Sequence, residues 1–149
     1  MSPHLNSLFL ATLLFPLCPL RAQAPIRLEF LAEKEEASGC CGFFYLASDK
    51  SKDSRQVFGY EGNNVLAPIR INGELYKVSN TKFEDHPVKK GKSSVGDRLI
   101  QVWQNEKIRI ELNLKTVEIG EEGISVRGTL MISLGGLKET YKIEGYIGA

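Results

Sequence analysis

The feature that most constrains the fold is a strict alternation of apolar and polar residues along Lys107–Lys115, KIRIELNLK. The residues of one parity are all apolar: Ile108, Ile110, Leu112 and Leu114. Successive side chains of an extended strand point to opposite faces, whereas a helix would scatter these four residues around its axis. The segment therefore predicts a β-strand with one buried face.

The same period of two continues along the chain from Pro25, and turn signals separate the alternating segments. Asn72–Gly73 is the clearest signal, because a type I′ hairpin turn needs positive φ at both central positions and this pair adopts it at low cost. Gly120–Gly123 and Gly135–Gly136 supply further turns. Roughly seven or eight strands over about 110 residues have the spacing of a sandwich or a small barrel. We therefore predict a single all-β domain, either an antiparallel β-sandwich or a small β-barrel.

Three features interrupt this pattern. Pro68 cannot donate a hydrogen bond to a ladder and is expected at an edge or a bulge. Gly128 is in phase with the apolar residues of its strand, at a place where a strand bends or a bulky neighbour approaches. The segment Asn80–Gly96 is predicted to be one long irregular stretch, and loops of that length are typically functional or mobile.

The N-terminal segment has the pattern of an export signal. Leu8–Leu17, LFLATLLFPL, is too short to span the roughly 30 Å of a bilayer core but has the length of a signal-peptide h-region. An Ala-Gln-Ala pattern places cleavage after Ala22 or Ala24, and it favours Ala22 because a proline directly follows Ala24. We expect residues 1–24 to be removed and residues 25–149 to form the domain. The predicted location is the periplasm, the outer envelope or the extracellular space, with no stable membrane span after processing.

The charge balance argues against a nucleic-acid partner. Processing removes one basic residue and no acidic one, so the 19 basic residues of the chain fall to 18 and match its 18 acidic residues. A neutral domain has no bulk field that attracts a polyanion, so an electrostatic partner must meet a local patch.

One basic cluster stands out in the long irregular stretch. It consists of Lys82, Lys89, Lys90 and Lys92, with Phe83 beside it. The cluster is either a binding surface for an anionic envelope polymer or an acidic envelope protein, or an ordinary solvated loop.

Aromatic residues are further candidates for recognition. Phe43–Tyr45 are three consecutive aromatics, so at least one of them points away from the core. Trp103 lies out of phase with Ile100 and Val102 on its own strand. These aromatics either form an exposed apolar surface or, if both faces of the sheet are covered, belong to the core.

Cys40 and Cys41 are the only cysteines left after processing. Adjacent cysteines form a disulfide only through a strained ring, so the alternatives are a vicinal disulfide, buried thiols, links to another chain or a soft-metal site. We expect no metal and no cofactor, because the sequence brings no third or fourth ligand into view.

His86 is the only histidine of the processed chain, and it follows Glu84 and Asp85. A carboxylate beside an imidazole is the arrangement of a general base. A histidine before a proline in a polar loop is more often solvated, and the chain has no nucleophile elbow. We therefore expect no catalytic residue.

The segments SGCCGFFYL, LAPIRINGELYKV and GDRLIQVWQ resemble a family of small, exported bacterial β-domain proteins of uncharacterised function. The resemblance covers most of the processed chain and implies the β fold and export. The family ends in Gly-x-Cys-Gly-Cys, whereas this chain carries Ile147 and Ala149 at the cysteine positions. The resemblance therefore provides no terminal partners for Cys40 and Cys41.

Together these features predict an exported, non-catalytic β-domain protein of the envelope or the extracellular space, with a binding or structural role. Two alternatives remain open. One is an inhibitor of an envelope-degrading enzyme such as a lysozyme, which would present the long irregular stretch to a cleft. The other is a small hydrolase that uses His86.

Overall fold

The computed structural model describes residues 24–38, 41–49, 55–62, 66–83 and 93–148, with the side chains of Lys82 and Phe83 left out. These ranges hold nine strands and one short 3-10 turn, η1 (Glu33–Glu35). The strands are β1 (Leu28–Glu29), β2 (Cys41–Leu46), β3 (Gln56–Glu61), β4 (Leu66–Ile71), β5 (Glu74–Phe83), β6 (Arg98–Gln104), β7 (Ile108–Ile119), β8 (Gly123–Leu134) and β9 (Leu137–Gly148). Among these residues there is no helix long and apolar enough to cross a membrane.

The strands β2 to β9 form a closed, eight-stranded antiparallel barrel in which each strand pairs with the next along the chain. Closure comes from β9, which returns to β2 and places Phe44 opposite Gly145. The short β1 is an extra strand beside the end of β4, where Leu28 pairs with Ile71. The prediction of a single antiparallel all-β domain is confirmed, and the structure selects the barrel over the sandwich.

The barrel interior is filled by the apolar parity of the strands. On β7, the residues Ile108, Ile110, Leu112 and Leu114 are each at most 2% exposed, as the alternation predicted. They face β8 in register, with Ile110 opposite Ile132. An eight-stranded barrel is just wide enough for side chains to fill, so alternation on every strand produces a packed core.

Aromatic rings occupy the part of the core nearest β2, β3 and β6. Phe44 and Phe58 lie opposite each other on β2 and β3 and are fully buried, with ring centroids 6.1 Å apart. A register shift after Phe44 leaves Val57 as an extra residue on β3, and Val57 is buried in the same core cluster as Phe58. Gln56 then faces outward, toward the segment that precedes β2.

Two glycine predictions are confirmed by the backbone. Asn72 and Gly73 have φ values of 51° and 80°, the positive values that the hairpin turn between β4 and β5 requires. At Gly128 a Cβ atom would lie 1.9 Å from the backbone oxygen of Asn113. The neighbouring strand therefore approaches this position as closely as the sequence indicated.

The segment 26–38, called here the N-terminal strap, closes one end of the barrel and then crosses its outer face. Ile26 and Leu28 are buried in the core cluster. The Tyr141 hydroxyl donates to the Ile26 carbonyl at 2.9 Å and accepts from the Leu28 N–H at 3.1 Å. Further along, the Leu31 N–H donates to the Gln56 carbonyl at 2.8 Å. The strap is thus fixed to the barrel along its length.

One predicted boundary is wrong. The long irregular stretch was expected to begin at Asn80, but β5 continues to Phe83 and pairs with β6 through Ser79, Asn80, Lys82 and Phe83. A bulge between Asn80 and Lys82 interrupts the two-residue period there, which is why the sequence pattern ended too early.

Candidate functional site

A groove on the outside of the barrel begins where the pairing of β3 with β4 ends. The only ladder pair between these strands is Phe58 opposite Ile69. The next step of the same register places Gly59 opposite Pro68, which has no N–H to donate. Because the ladder stops at this step, the two strands leave a depression in the barrel wall.

The expectation that Pro68 lies on an edge strand or a bulge is wrong, because β4 has neighbours on both sides. Pro68 pairs with Lys77 of β5 in a regular ladder. Hydrogen-bonded pairs alternate along such a ladder, and counting from the Ile71–Glu74 pair that closes the turn puts the Pro68 nitrogen on the β3 side. Proline is tolerated here because its missing donor faces the place where the ladder has already ended.

The groove has a volume of about 650 Å³ and lies over β3, β4 and β5, with the strap as one wall. We call it the outer groove. Its floor contains Leu66, Pro68 and Leu75, and the leucines are 52% and 37% exposed. These leucines stand on the parity of β4 and β5 that faces away from the core, so their exposure is not explained by barrel packing.

The wall formed by the strap is fixed by an ion pair and by a buried amide. The Arg70 guanidinium on β4 binds the Glu35 carboxylate of η1, which also accepts a hydrogen bond from the Ala32 N–H at 2.9 Å. The hydrogen bond from Ala32, followed by that from Arg70, lowers the pKa of Glu35. The Gln56 side chain accepts from the Ala37 N–H at 2.9 Å and donates to its carbonyl at 3.0 Å.

Gly59 makes this contact possible. A Cβ atom at Gly59 would lie 2.7 Å from the Gln56 amide oxygen and 2.9 Å from the Ala37 Cβ. A larger residue would therefore push the strap away from β3 and change the shape of the outer groove.

The charged residues around the outer groove differ in how they are engaged. The Glu36 carboxylate accepts a hydrogen bond from the Gln56 N–H at 3.2 Å, and Glu61 accepts from the Ser38 N–H and hydroxyl at 3.2 and 3.3 Å. Lys34 and Lys77 are exposed and have no ion-pair partner among the described residues. The carboxylates hold the strap, and the two ammonium groups remain available to a ligand.

Tyr60 lies at the inner end of the groove and belongs to a buried polar chain. Trp103 Nε1 donates to Gln101 Oε1 at 3.1 Å, and Gln101 Nε2 donates to the Tyr60 hydroxyl at 2.9 Å. Burial raises the pKa of Tyr60 to about 12. The tyrosine therefore stays protonated at physiological pH, and its contacts give it a structural role.

Trp103 lies in the core, which is one of the two alternatives that the sequence left open. It is 2% exposed, and its ring is 4.9 Å from that of Tyr60 and 5.5 Å from that of Phe58. It is therefore not part of an exposed binding surface. The outward aromatics are Phe43 and Tyr45, whose centroids are 5.7 Å apart.

Most other predicted site residues lie outside the described residues: Cys40, His86, Lys89, Lys90 and Lys92. The backbones of Lys82 and Phe83 form the end of β5. Binding by this basic cluster stays a prediction. Cys41 is 6% exposed at the start of β2, and the alternatives for the cysteine pair remain open. No group of three or more metal-binding side chains occurs among the described residues.

Sequence reasoning missed the outer groove, although one signal for it was present. On β4, the core residues Ala67, Ile69 and Ile71 leave Leu66 and Pro68 on the outer parity. Leu75 likewise lies out of phase with the buried Val78 of β5. Apolar residues of the wrong parity on two paired strands indicate an apolar outer patch.

Comparison of the chain with protein-family models, with curated proteins and with solved structures finds no match. The resemblance to a family of exported β-domain proteins therefore stays a prediction. The function has to be argued from the geometry of the outer groove.

Proposed function

We propose that the protein is an exported, non-catalytic binding domain that recognises its partner through the outer groove. The observation that carries the proposal is the groove itself, in which two exposed leucines lie beside two lysines without ion-pair partners. Exposed apolar side chains next to available charges are typical of a recognition surface.

The filled barrel interior supports an external site. Eight-stranded barrels that carry a small ligand hold it inside, in the space that side chains otherwise fill. Here that space contains Phe44, Phe58, Leu112 and Leu130, all fully buried. A ligand is therefore expected on the outside, where the strap and the β3–β4 seam form a depression.

The state of the carboxylates supports binding over acid–base chemistry. A general acid or base must be within hydrogen-bond reach of its substrate. Glu35, Glu36 and Glu61 instead accept hydrogen bonds from the chain itself. These contacts keep the strap in place and preform the groove, which reduces the ordering cost of binding.

The test is site-specific photo-crosslinking in an envelope extract of the source organism. A photoreactive phenylalanine analogue is introduced at Leu75 in the groove and, as a matched control, at Val117 on β7. Both positions are 37% exposed. We expect a discrete crosslinked species from Leu75 and none from Val117.

Two results would contradict the proposal. One is an equal yield of crosslinked species from both positions. The other is crosslinking from Leu75 that persists unchanged after Leu66→Ser, which removes the most exposed apolar residue of the floor.

A further inference from the structure

We infer that the outer groove binds an acidic, leucine-containing segment of a protein partner in extended conformation. This inference rests on the proposed function and specifies its ligand. The apolar side chain of the segment packs on Leu66, Pro68 and Leu75, and its carboxylates meet the ammonium groups of Lys34 and Lys77.

The charge of the ligand follows from which groups the protein has already satisfied. Glu35 is bound by Arg70, and Glu36 and Glu61 accept donors from β3 and the strap. The lysines have no such partners among the described residues. A cationic ligand would have to compete with these internal contacts, whereas an anionic ligand meets two available cations.

The position of the two lysines supports more than one anionic contact. Lys34 belongs to η1 on the strap, and Lys77 belongs to β5, so they come from opposite sides of the groove. A ligand that crosses the groove from the strap to β5 passes both ammonium groups. Acidic residues on each side of an apolar residue match this order of charge, apolar floor and charge.

The shape of the site favours a peptide over an acyl chain. An acyl chain is held in an enclosed apolar channel, and the interior of this barrel is occupied by side chains. The outer groove is open to solvent and has polar as well as apolar walls. Such a surface covers one or two apolar side chains of a partner and leaves the polar groups around them in water.

The wall is already in place for such a ligand. The Gln56 amide holds Ala37 with two hydrogen bonds, and the Arg70–Glu35 ion pair holds η1. Binding therefore does not require the strap to order, and the main cost lies in fixing the peptide.

The test uses three blocked heptapeptides as probes, with alternating glutamate and leucine, lysine and leucine, or glutamate and serine. Binding is measured by isothermal titration calorimetry with the processed protein. We expect the glutamate–leucine peptide to bind at least about tenfold more tightly than either of the others. We also expect its affinity to fall as added salt shortens the Debye length from about 10 Å to about 3 Å.

Variants then place the binding in the groove. The double variant Lys34→Gln/Lys77→Gln is expected to weaken the glutamate–leucine peptide by about two- to tenfold, the range for a pair of exposed ionic contacts. The matched control Lys115→Gln/Lys138→Gln removes two exposed lysines outside the groove and should leave the affinity unchanged. Leu75→Ser should weaken binding, and Val117→Ser should not.

The inference is overturned if the lysine–leucine peptide binds as tightly, if no peptide binds at millimolar concentration, or if the groove variants change nothing. These failures are separate from failure of the proposed function. A groove-specific crosslink at Leu75 combined with a failed peptide titration means that the site is real and its ligand is of another class. Absence of the crosslink removes the proposed function itself.

Discussion

Replacement of Trp103 by alanine separates a core residue from a binding residue. The side chain is 2% exposed, packs between Tyr60 and Phe58, and donates to Gln101. Truncating a buried tryptophan costs about 3–5 kcal/mol. Leaving the Gln101 oxygen without its donor adds about 1–3 kcal/mol. The combined loss of about 4–8 kcal/mol is a large part of the roughly 5–15 kcal/mol that holds a domain folded.

Because the alanine variant is expected to be close to unfolding, Trp103→Phe provides the quantitative test. It keeps an aromatic ring and removes the N–H donor, so we expect a loss of about 1–3 kcal/mol in the free energy of unfolding. Urea unfolding is followed by far-UV circular dichroism, since the chain has one tryptophan and the variant lacks it.

Val117→Ala, at a position that is 37% exposed, is the matched control and should change stability by no more than about 0.5 kcal/mol. A Trp103→Ala variant within about 1 kcal/mol of the parent would refute the core assignment.

Three further predictions concern the barrel and the strap. Gly128→Ala should destabilise the domain strongly, since its Cβ would meet backbone at 1.9 Å, while Gly120→Ala, where the nearest atom is 3.4 Å away, should be tolerated; thermal unfolding compares them. Tyr141→Phe removes both hydrogen bonds of its hydroxyl to the strap and should cost about 1–3 kcal/mol in urea unfolding; an unchanged midpoint contradicts that anchor. The lowered pKa of Glu35 stabilises the fold above its unfolded-state pKa, and this contribution is lost as the pH falls through the folded-state value; unfolding at neutral and acidic pH should show a weaker acid dependence for Arg70→Gln than for the parent.

The parts of the fold that follow local rules could be predicted from the sequence. The alternation on β7 identified its buried face, and Asn72–Gly73 identified the hairpin between β4 and β5. Barrel closure depends on the pairing of β2 with β9, as between Gly42 and Ile147. The alternation in β2 and β9 is equally compatible with a sandwich, so the sequence left both architectures open.

The orientation of Trp103 could not be predicted because β6 is apolar on both parities. Ile100 and Val102 suggested one inward face, but the core uses the parity of Leu99, Gln101 and Trp103. A glutamine in that parity argues against burial when only the strand is considered. It is buried because Trp103 and a residue of another strand, Tyr60, satisfy its amide.

The outer groove depends on contacts between distant parts of the chain, which explains why the sequence did not reveal it. Arg70 and Glu35 are 35 residues apart, and Gln56 and Ala37 are 19 apart. Local alternation carries no information about where the strap crosses the barrel. The out-of-phase leucines indicate an apolar patch but not the wall beside it.

The most direct test of recognition at the outer groove is an NMR titration of the ¹⁵N-labelled processed protein with the glutamate–leucine heptapeptide. The account predicts that the largest amide shifts fall on the strap around Lys34–Ala37 and on Leu66, Pro68-adjacent amides and Leu75–Lys77. Shifts concentrated on residues 84–92, or spread evenly over the barrel, would contradict it.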